Sequence, residues 1–441
     1  MKKKCLFTVA ASALLLLLGL HPLDLNYLAW FAFVPLFLLL FDASCRPLHF
    51  ILSALAVGVL YFGIGLYWLL YFDARIYALT FLFVAPVYAI YFGALRGLFA
   101  KTQSTHWVVL GAPVFWLALN QLFALSPLGT IAIEVPFYGA LPFFQLASVT
   151  SLAVVPAAIL GLNAAVAAYF KKRSALHILG IIFFAGVLAG IYLWGERRLS
   201  EPQAKPEIKL ALVQHNFPVS GKWRLEHPHF IRSEYRRLAL EAAQDKSDMT
   251  VFPLYSFPDD ALRSPEFFAG LAQETRAWIL VATYIPQQAG ESITGGFFDA
   301  ALLYSPEGKL ADYYQAVQAP PFRDVSETTG KAYKILETPF GKLGILLCYE
   351  DSLPKIARRA VHSGAEILIA LSNPGHFSTT PMPYYHLMQD RLRAIESNRW
   401  LIRASANGYS AAVDDRGRLV QKTELNQARI LQVKAAMKRV V

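Results

Sequence analysis

The first half of the chain consists of long apolar runs separated by short polar and basic segments. Several runs approach the ~20 apolar residues that a helix needs to cross a bilayer, so residues 1–195 are predicted to form a polytopic α-helical membrane domain with about seven spans. The first run is interpreted as an uncleaved anchor, because no small-x-small cleavage site follows it. The predicted spans are Cys5–Leu20, Tyr27–Phe41, Phe50–Tyr71, Tyr77–Leu95, Trp107–Leu125, Phe143–Phe170 and Leu176–Trp194.

Basic residues between the apolar runs predict how the chain is oriented in the membrane. Cytoplasmic loops carry an excess of lysine and arginine, so the side of the membrane that collects these residues is predicted to be the cytoplasm. An odd number of spans then places everything after Trp194 outside the cytoplasm, while the opposite loops hold little beyond Arg75. The cytoplasmic set is Lys2–Lys4, Arg46, Arg96, Lys101 and Lys171–Arg173.

The overall composition agrees with a membrane protein. The chain is 55% hydrophobic and only 16% charged, whereas about a quarter of the residues in a soluble domain are charged. The net charge of +10 does not indicate a nucleic-acid partner, because the basic residues flank apolar runs instead of forming one face. The three cysteines, Cys5, Cys45 and Cys348, form no disulfide framework. No cofactor and no metal ion is predicted.

Polar side chains inside the predicted spans are candidates for function, since lipid makes them expensive to bury. Gln121, Gln145 and Asn163 lie within spans, and Glu134 lies in the outer loop between the fifth and sixth spans. In the commoner case such amides hydrogen-bond to neighbouring helices. The alternative is a lipid headgroup site at the outer ends of the fifth and sixth spans.

A polar linker, residues 196–206, precedes a predicted soluble domain over residues 207–425, and a basic tail is predicted for residues 426–441. Short apolar strands alternate with helical patterns, which indicates layered sheets flanked by helices. The predicted strands are Ile208–Gln214, Met249–Pro253, Trp278–Tyr284, Asp299–Tyr304, Leu310–Tyr314, Gly344–Cys348, Glu366–Leu371, Trp400–Ala404 and the hairpin Ser410–Val413 with Arg418–Lys422. The predicted helices are Pro228–Ala243, Pro265–Arg276, Lys355–Ser363 and Tyr384–Asn398.

One cysteine is placed where a nucleophile is expected. The apolar run Leu343–Leu347 leads directly into Cys348, Tyr349 and Glu350, and a helix is predicted to follow. A thiol at the end of a strand and ahead of a helix is favoured as a thiolate by the helix N-terminus. The alternative is an inert structural residue, because free cysteine is among the most commonly buried residue types.

An ordered set of segments resembles the bacterial apolipoprotein N-acyltransferases, and the resemblance covers nearly the whole chain. In the membrane half the matching segments are Trp30–Leu36 (WFAFVPL), Gly63–Trp68 (GIGLYW) and Pro142–Leu152 (PFFQLASVTSL). In the second half they are Leu212–Asn216 (LVQHN), Lys222-Trp223, Cys348-Tyr349-Glu350, Ser372-Asn373 and Arg391–Asn407. The resemblance implies a bacterial inner-membrane protein whose periplasmic domain is a nitrilase-like α-β-β-α sandwich. It also implies transfer of an acyl chain from a phospholipid, through a cysteine thioester, to the N-terminal amine of a diacylated lipoprotein.

The resemblance fails at two positions of the family's Glu-Lys-Cys triad. Cys348 matches the nucleophile, but Leu254 stands where the family has its glutamate base and Ala316 where it has its lysine. A slip of one residue offers Gln315 instead of Ala316, which is also uncharged. Glu350 is either a supporting residue, as its place in the CYE segment implies, or a substitute base.

Three interpretations of function follow from these departures. The chain is an N-acyltransferase with substitute residues, a catalytically silent relative that binds lipid or lipoprotein or partners an intact enzyme, or a membrane-tethered amidase. The amidase needs the same lost triad and is the weakest of the three. Loss of a general base lowers a rate by roughly 10²–10⁴-fold, and loss of an oxyanion donor by roughly 10²–10³-fold.

Overall fold

A computed structural model describes residues 2–124, 140–218, 220, 223, 226–254, 265–289, 292–319, 327–377 and 379–438. The chain divides into two compact units, Met1–Glu201 and Pro202–Val441. The first unit is helical, and both β-sheets lie in the second.

The first unit is built from apolar helices. Within the described residues, four helical stretches are long and apolar enough to cross a membrane, namely Pro47–Gly65, Ala74–Thr102, Val154–Lys171 and Ala175–Ser200. The unit is that of a membrane protein, while the number of about seven spans stays a prediction. The helices are α1 Lys2–Leu18, α2 Asn26–Ala29, α3 Val34–Leu40, α4 Pro47–Gly65, α5 Ala74–Val84, α6 Val87–Thr102, α7 Thr105–Ala124, α8 Leu141–Phe144, α9 Val154–Lys171 and α10 Ala175–Ser200.

The sixth predicted span, Phe143–Phe170, is interrupted in the structure. The short helix α8 passes into a 3-10 turn at Gln145–Ser148, and α9 begins only at Val154. The hydroxyl oxygen of Ser151 accepts a hydrogen bond from the backbone N–H of Ala153 at 3.2 Å. Serine side chains that bond to the nearby backbone compete with helical hydrogen bonds, which accounts for the break.

Asn163 joins α9 to the turn between α2 and α3. Its side-chain Nδ2 donates to the carbonyl oxygens of Trp30 at 2.6 Å and Ile159 at 2.7 Å, and its Oδ1 accepts from the backbone N–H of Phe33 at 3.2 Å. The buried amide of Asn163 therefore holds helices together, as in the commoner of the two predicted roles. Glu134 lies outside the described residues, and Gln121 is exposed.

The second unit contains all the strands and helices predicted for it, with β3 and β4 extended by several residues. Its strands are β1 Ile208–Gln214, β2 Met249–Phe252, β3 Trp278–Ala289, β4 Ser292–Tyr304, β5 Leu310–Gln315, β6 Glu327–Thr328, β7 Leu336–Thr338, β8 Gly341–Leu347, β9 Ile367–Ser372, β10 Leu401–Ser405, β11 Ala411–Val413, β12 Leu419–Lys422 and β13 Arg429–Ala435. Its helices are α11 Pro228–Gln244, α12 Pro265–Thr275, α13 Pro354–His362 and α14 Met382–Ser397.

The strands form two sheets that pack face to face between two layers of helices. One sheet has the strand order β13-β1-β2-β3-β4-β5 with β6 beside β4, and the other has the order β12-β11-β10-β9-β8-β7. Alternate residues of each strand point to opposite faces. In β8, Ile345 and Leu347 enter the core between the sheets, whereas Leu346 packs with α13 and α14. The fold is the predicted α-β-β-α sandwich.

Both predicted ends of the soluble domain require correction. Helix α10 continues to Ser200, so the first part of the predicted linker 196–206 is helical. The predicted tail 426–441 contains β13, which pairs antiparallel with β1 from Ile208 opposite Ala435 to Gln214 opposite Arg429. Val433 and Ala435 are buried, and Lys434 between them is exposed. The basic residues concealed the period-2 pattern of an edge strand.

Candidate functional site

Cys348 lies at the point where β8 ends. The residue opens a 3-10 turn, Cys348–Ser352, and its backbone φ of 49° lies in the left-handed region that non-glycine residues rarely adopt. Such a conformation costs ~1–3 kcal/mol and persists only where neighbouring contacts hold it. The helix predicted to follow Cys348 is present as α13, which begins at Pro354 after this turn; whether its N-terminus favours the thiolate stays a prediction.

Cys348 packs against the same apolar core that contains the two positions at which the chain departs from the family triad. Leu254 is 0% exposed and Ala316 is 3% exposed, and both belong to the apolar core between the sheets. The half-buried Cys348 packs against the same core. The side chains at these two positions are hydrocarbon, which neither accepts a proton nor stabilises an oxyanion.

Glu350 is fully buried, and both of its carboxylate oxygens accept hydrogen bonds. The hydroxyl of Tyr314 lies 3.0 Å from each oxygen, and the backbone N–H groups of Val317, Gln318 and Leu347 donate at 2.7, 3.2 and 3.0 Å. Burial raises the pKa of Glu350 to about 8, although these donors favour the ionised form. Glu350 thus joins the end of β8 to the segment after β5, the segment in which the family carries its lysine.

Tyr349 lies on the opposite side of the sheet from this core. It packs in the apolar cluster between the second sheet and helices α13 and α14. Burial raises the pKa of the Tyr349 hydroxyl above its ordinary value. Of the residues in the CYE segment, Cys348 therefore packs against the core between the sheets, and Tyr349 packs against the helical layer.

The residue after Glu350 belongs to a buried network of polar and charged side chains. Arg403 donates from Nη1 to Oδ2 of Asp351 at 2.9 Å and to Oδ2 of Asp390 at 2.5 Å. Its Nη2 donates to Oγ of Ser372 at 2.9 Å and to Nδ1 of His386 at 2.6 Å. An arginine can only donate, so the Nε2 of His386 carries the ring proton and donates to Oδ1 of Asp351 at 2.5 Å.

The network contains two carboxylates on one guanidinium group. Burial raises the pKa of Asp390 to about 6, with Arg403 opposing and Asp351 adding to that rise. Burial also acts to raise the pKa of Asp351, but the contacts with His386 and Arg403 outweigh it and the net shift is downward. The arrangement ties the Cys348 turn, through Asp351, to α14, to the end of β9 and to the middle of β10, and such contacts stabilise a strained turn.

Sequence reasoning assigned no role to His386, Asp390 or Arg403. A signal was available in retrospect, since His386 and Asp390 are four residues apart on one helix face. Arg403 also interrupts the apolar strand β10 at a buried position. An ionisable residue inside such a strand needs a buried partner.

Two family profiles match the chain. The profile described as carbon-nitrogen hydrolase covers residues 209–441, and the profile described as apolipoprotein N-acyltransferase N-terminal domain covers residues 12–165. Together they span most of both structural units.

The chain also aligns with named relatives over most of its own length and most of theirs. The apolipoprotein N-acyltransferase of Geobacter metallireducens is 24% identical over 95% of this chain and 87% of its own length. That of Gloeobacter violaceus is 28% identical over 93% of this chain and 84% of its own length. Among solved structures, the carbon-nitrogen hydrolase of Helicobacter pylori aligns with a TM-score of 0.43 and 20% identity, over 51% of this chain and 87% of that one.

Proposed function

The chain belongs to the apolipoprotein N-acyltransferase family, and from that premise we propose that it binds the lipid substrates of the family without completing their acyl transfer. The ligands are a phospholipid acyl donor and a diacylated lipoprotein acceptor. The protein is placed in the bacterial inner membrane as a multi-pass protein, with residues 207–438 in the periplasm. It acts as a lipid- or lipoprotein-binding protein, or as the partner of an intact enzyme.

The observation that supports this proposal is the apolar character of Leu254 and Ala316. Acyl transfer needs a base that removes the thiol proton and a donor that stabilises the oxyanion formed when sulfur attacks the ester carbonyl. Leu254 and Ala316 occupy the corresponding positions and are buried in the core against which Cys348 packs. Ordinary thiols are only a few per cent ionised at neutral pH, so loss of the base slows attack by the sulfur. Loss of the oxyanion donor slows thioester formation further, and either loss costs orders of magnitude in rate.

Glu350 does not compensate for the missing base. Both of its oxygens already accept hydrogen bonds from Tyr314 and from backbone N–H groups. A carboxylate has about four acceptor positions, and the hydroxyl of Tyr314 with the backbone N–H groups of Val317, Gln318 and Leu347 fills them. These contacts instead favour a supporting role, in which Glu350 holds the segment after β5 against the end of β8.

One feature favours a second candidate function, that of an N-acyltransferase with reduced activity. Cys348 keeps a strained φ of 49° at the end of β8, and strained turns of this kind cluster at sites of chemistry. A slow reaction at Cys348 would explain why the turn and its buried network are present.

Direct mass measurement separates the two candidates. The full-length protein and its Cys348→Ala variant are purified in detergent, incubated with phospholipid and a diacylated lipopeptide, and analysed as intact proteins. A photoactivatable phospholipid reports binding, and an intact family enzyme serves as the positive control. We expect lipid cross-linking in both proteins and no acyl adduct that depends on Cys348.

Complementation of a strain depleted of its own N-acyltransferase provides the second measurement. We expect no rescue by the parent chain. An acyl thioester that the Cys348→Ala protein lacks, together with rescue by the parent alone, would establish the active enzyme. Absence of lipid cross-linking in both proteins would remove the binding function as well.

A further inference from the structure

Helix α13 has one apolar and one basic face. Its buried residues are Ile356, Ala357 and Ala360, which pack in the cluster against the second sheet. The basic face is defined here as the four exposed residues Lys355, Arg358, Arg359 and His362. Arg358, Arg359 and His362 follow Lys355 by three, four and seven residues, which places all four on one side of the helix.

The charges of the basic face are not balanced within the described part of the chain. Helix α13 contains no aspartate or glutamate, and the partner of the Lys355 ammonium is the neutral amide oxygen of Gln318 at 2.9 Å. Among the described residues, no carboxylate forms an ion pair with Arg358 or Arg359. Three permanent cations therefore face solvent within two helical turns.

Another helix of the same unit shows the opposite arrangement. On α11, Arg236 pairs with Glu274 at 2.5 Å, and Arg237 pairs with Glu234 at 3.0 Å and with Glu241 at 2.8 Å. Its arginines are thus neutralised by neighbours. By contrast, no carboxylate among the described residues forms an ion pair with the arginines of the basic face of α13.

Helix stability accounts for only part of this pattern. Arg359 and His362 lie in the last turn of α13, where cations interact favourably with the helix dipole. Lys355 lies in the first turn, where a cation is unfavourable for the helix but adds to the attraction that a helix N-terminus has for an anion. A ligand that carries negative charge gives a reason for Lys355 that the helix itself does not.

We propose that the basic face of α13 binds the phosphate headgroup of an anionic phospholipid. Lysine and arginine are the side chains that recognise phosphate oxygens, through charge-assisted hydrogen bonds. The apolar helices of the first unit keep the protein in a membrane, so lipid headgroups are the anions present at the highest local concentration. The inference goes beyond the proposed function, since it concerns exposed side chains of α13 and holds whether or not Cys348 accepts an acyl chain.

Binding of short-chain phospholipids tests the proposal on the full-length protein in a neutral detergent. The affinity for dihexanoyl phosphatidylglycerol is measured for the parent, for Arg358→Gln with Arg359→Gln, and for the matched control Arg236→Gln with Arg237→Gln. Both double variants remove the same charge from an exposed helix face. Each cation near an anionic headgroup contributes roughly fivefold in affinity, so we expect a loss of roughly thirtyfold in the α13 variant and less than threefold in the control.

Further binding measurements distinguish a lipid headgroup from other anions. Dihexanoyl phosphatidylcholine is expected to bind the parent at least tenfold more weakly than the anionic lipid. Added salt is expected to reduce the difference between the two double variants in their affinity for the anionic lipid. Equal loss in both double variants, no loss in either, or equal affinity for the zwitterionic lipid would overturn the proposal. So would inorganic phosphate that binds as tightly as the anionic lipid. Should the α13 double variant not fold, Lys355→Gln alone answers the same question, with an expected loss of roughly fivefold.

Discussion

Replacement of Arg403 by methionine removes the only cation of the buried network among the described residues. The side chain of Arg403 is 2% exposed, and the two carboxylates that it contacts, Asp351 and Asp390, are 0% exposed. Removal of one partner from a buried ion pair costs ~3–5 kcal/mol, because the remaining charge is left uncompensated. For a domain of this size ~1 kcal/mol corresponds to ~2–4 °C, so we expect Arg403→Met to lower the melting temperature by ~6–20 °C.

The loss also changes how stability depends on pH. Burial already raises the pKa of Asp390 in the folded state to about 6, and loss of Arg403, which opposes that rise, moves it further above the unfolded value of ~4. The folded protein then holds protons that the unfolded chain releases, so stability is retained at low pH and falls as the pH rises. We expect the difference in melting temperature between Arg403→Met and the parent to increase from pH 5 to pH 8. Addition of Asp390→Asn to Arg403→Met should recover part of the loss at the higher pH.

Thermal unfolding of the full-length protein in detergent, followed by tryptophan fluorescence, measures this prediction. Arg399→Met is the matched control, because Arg399 is also buried but its hydrogen bonds go to the backbone carbonyl oxygens of Ala365, Ser397 and Asn398. Its loss removes no carboxylate contact, so its cost should be smaller and nearly constant with pH. A pH-independent loss at Arg403, or an equal loss at Arg399, would refute the electrostatic account of the network.

Three further predictions follow from the site and the topology. Leu254→Glu and Ala316→Lys each place an unpaired charge in an apolar core at a cost of a few kcal/mol. The double variant should be more stable than the sum of the two single destabilisations predicts, by ~1 kcal/mol or more in thermal unfolding. Strict additivity of the two destabilisations would show that the two positions do not share a site. Because the pKa of Glu350 in the folded state, about 8, lies above its ordinary value, its contribution to stability is fully present at pH 4.5 and is lost as the pH rises through 8. Glu350→Gln should flatten that part of the melting-temperature profile, and an unchanged slope would assign the titration to another group. Alkaline phosphatase should be active when fused after Val441 and inactive after Ser174, and the reverse pattern would place the second unit in the cytoplasm.

Sequence periodicity alone identified most of the secondary structure of this protein. The long apolar runs predicted membrane helices, and the short apolar runs predicted strands such as Ile208–Gln214 with the bounds that the structure shows. These patterns are local, because a side chain's position on a helix or strand depends on its few neighbours in the chain. The end of β8 at Cys348 was likewise readable, since an apolar run stops there at a polar turn.

Only the tertiary structure decided which distant residues meet at the site. Asp351 and Arg403 are 52 positions apart in the sequence. The left-handed φ of Cys348 and the pairing of β13 with β1 do not appear as a periodic pattern in the sequence either. Such features depend on how complete layers pack, and packing is set by the sum of many weak contacts instead of by any local run of residues. The buried charges of the network are tolerated only because that packing supplies each with a partner.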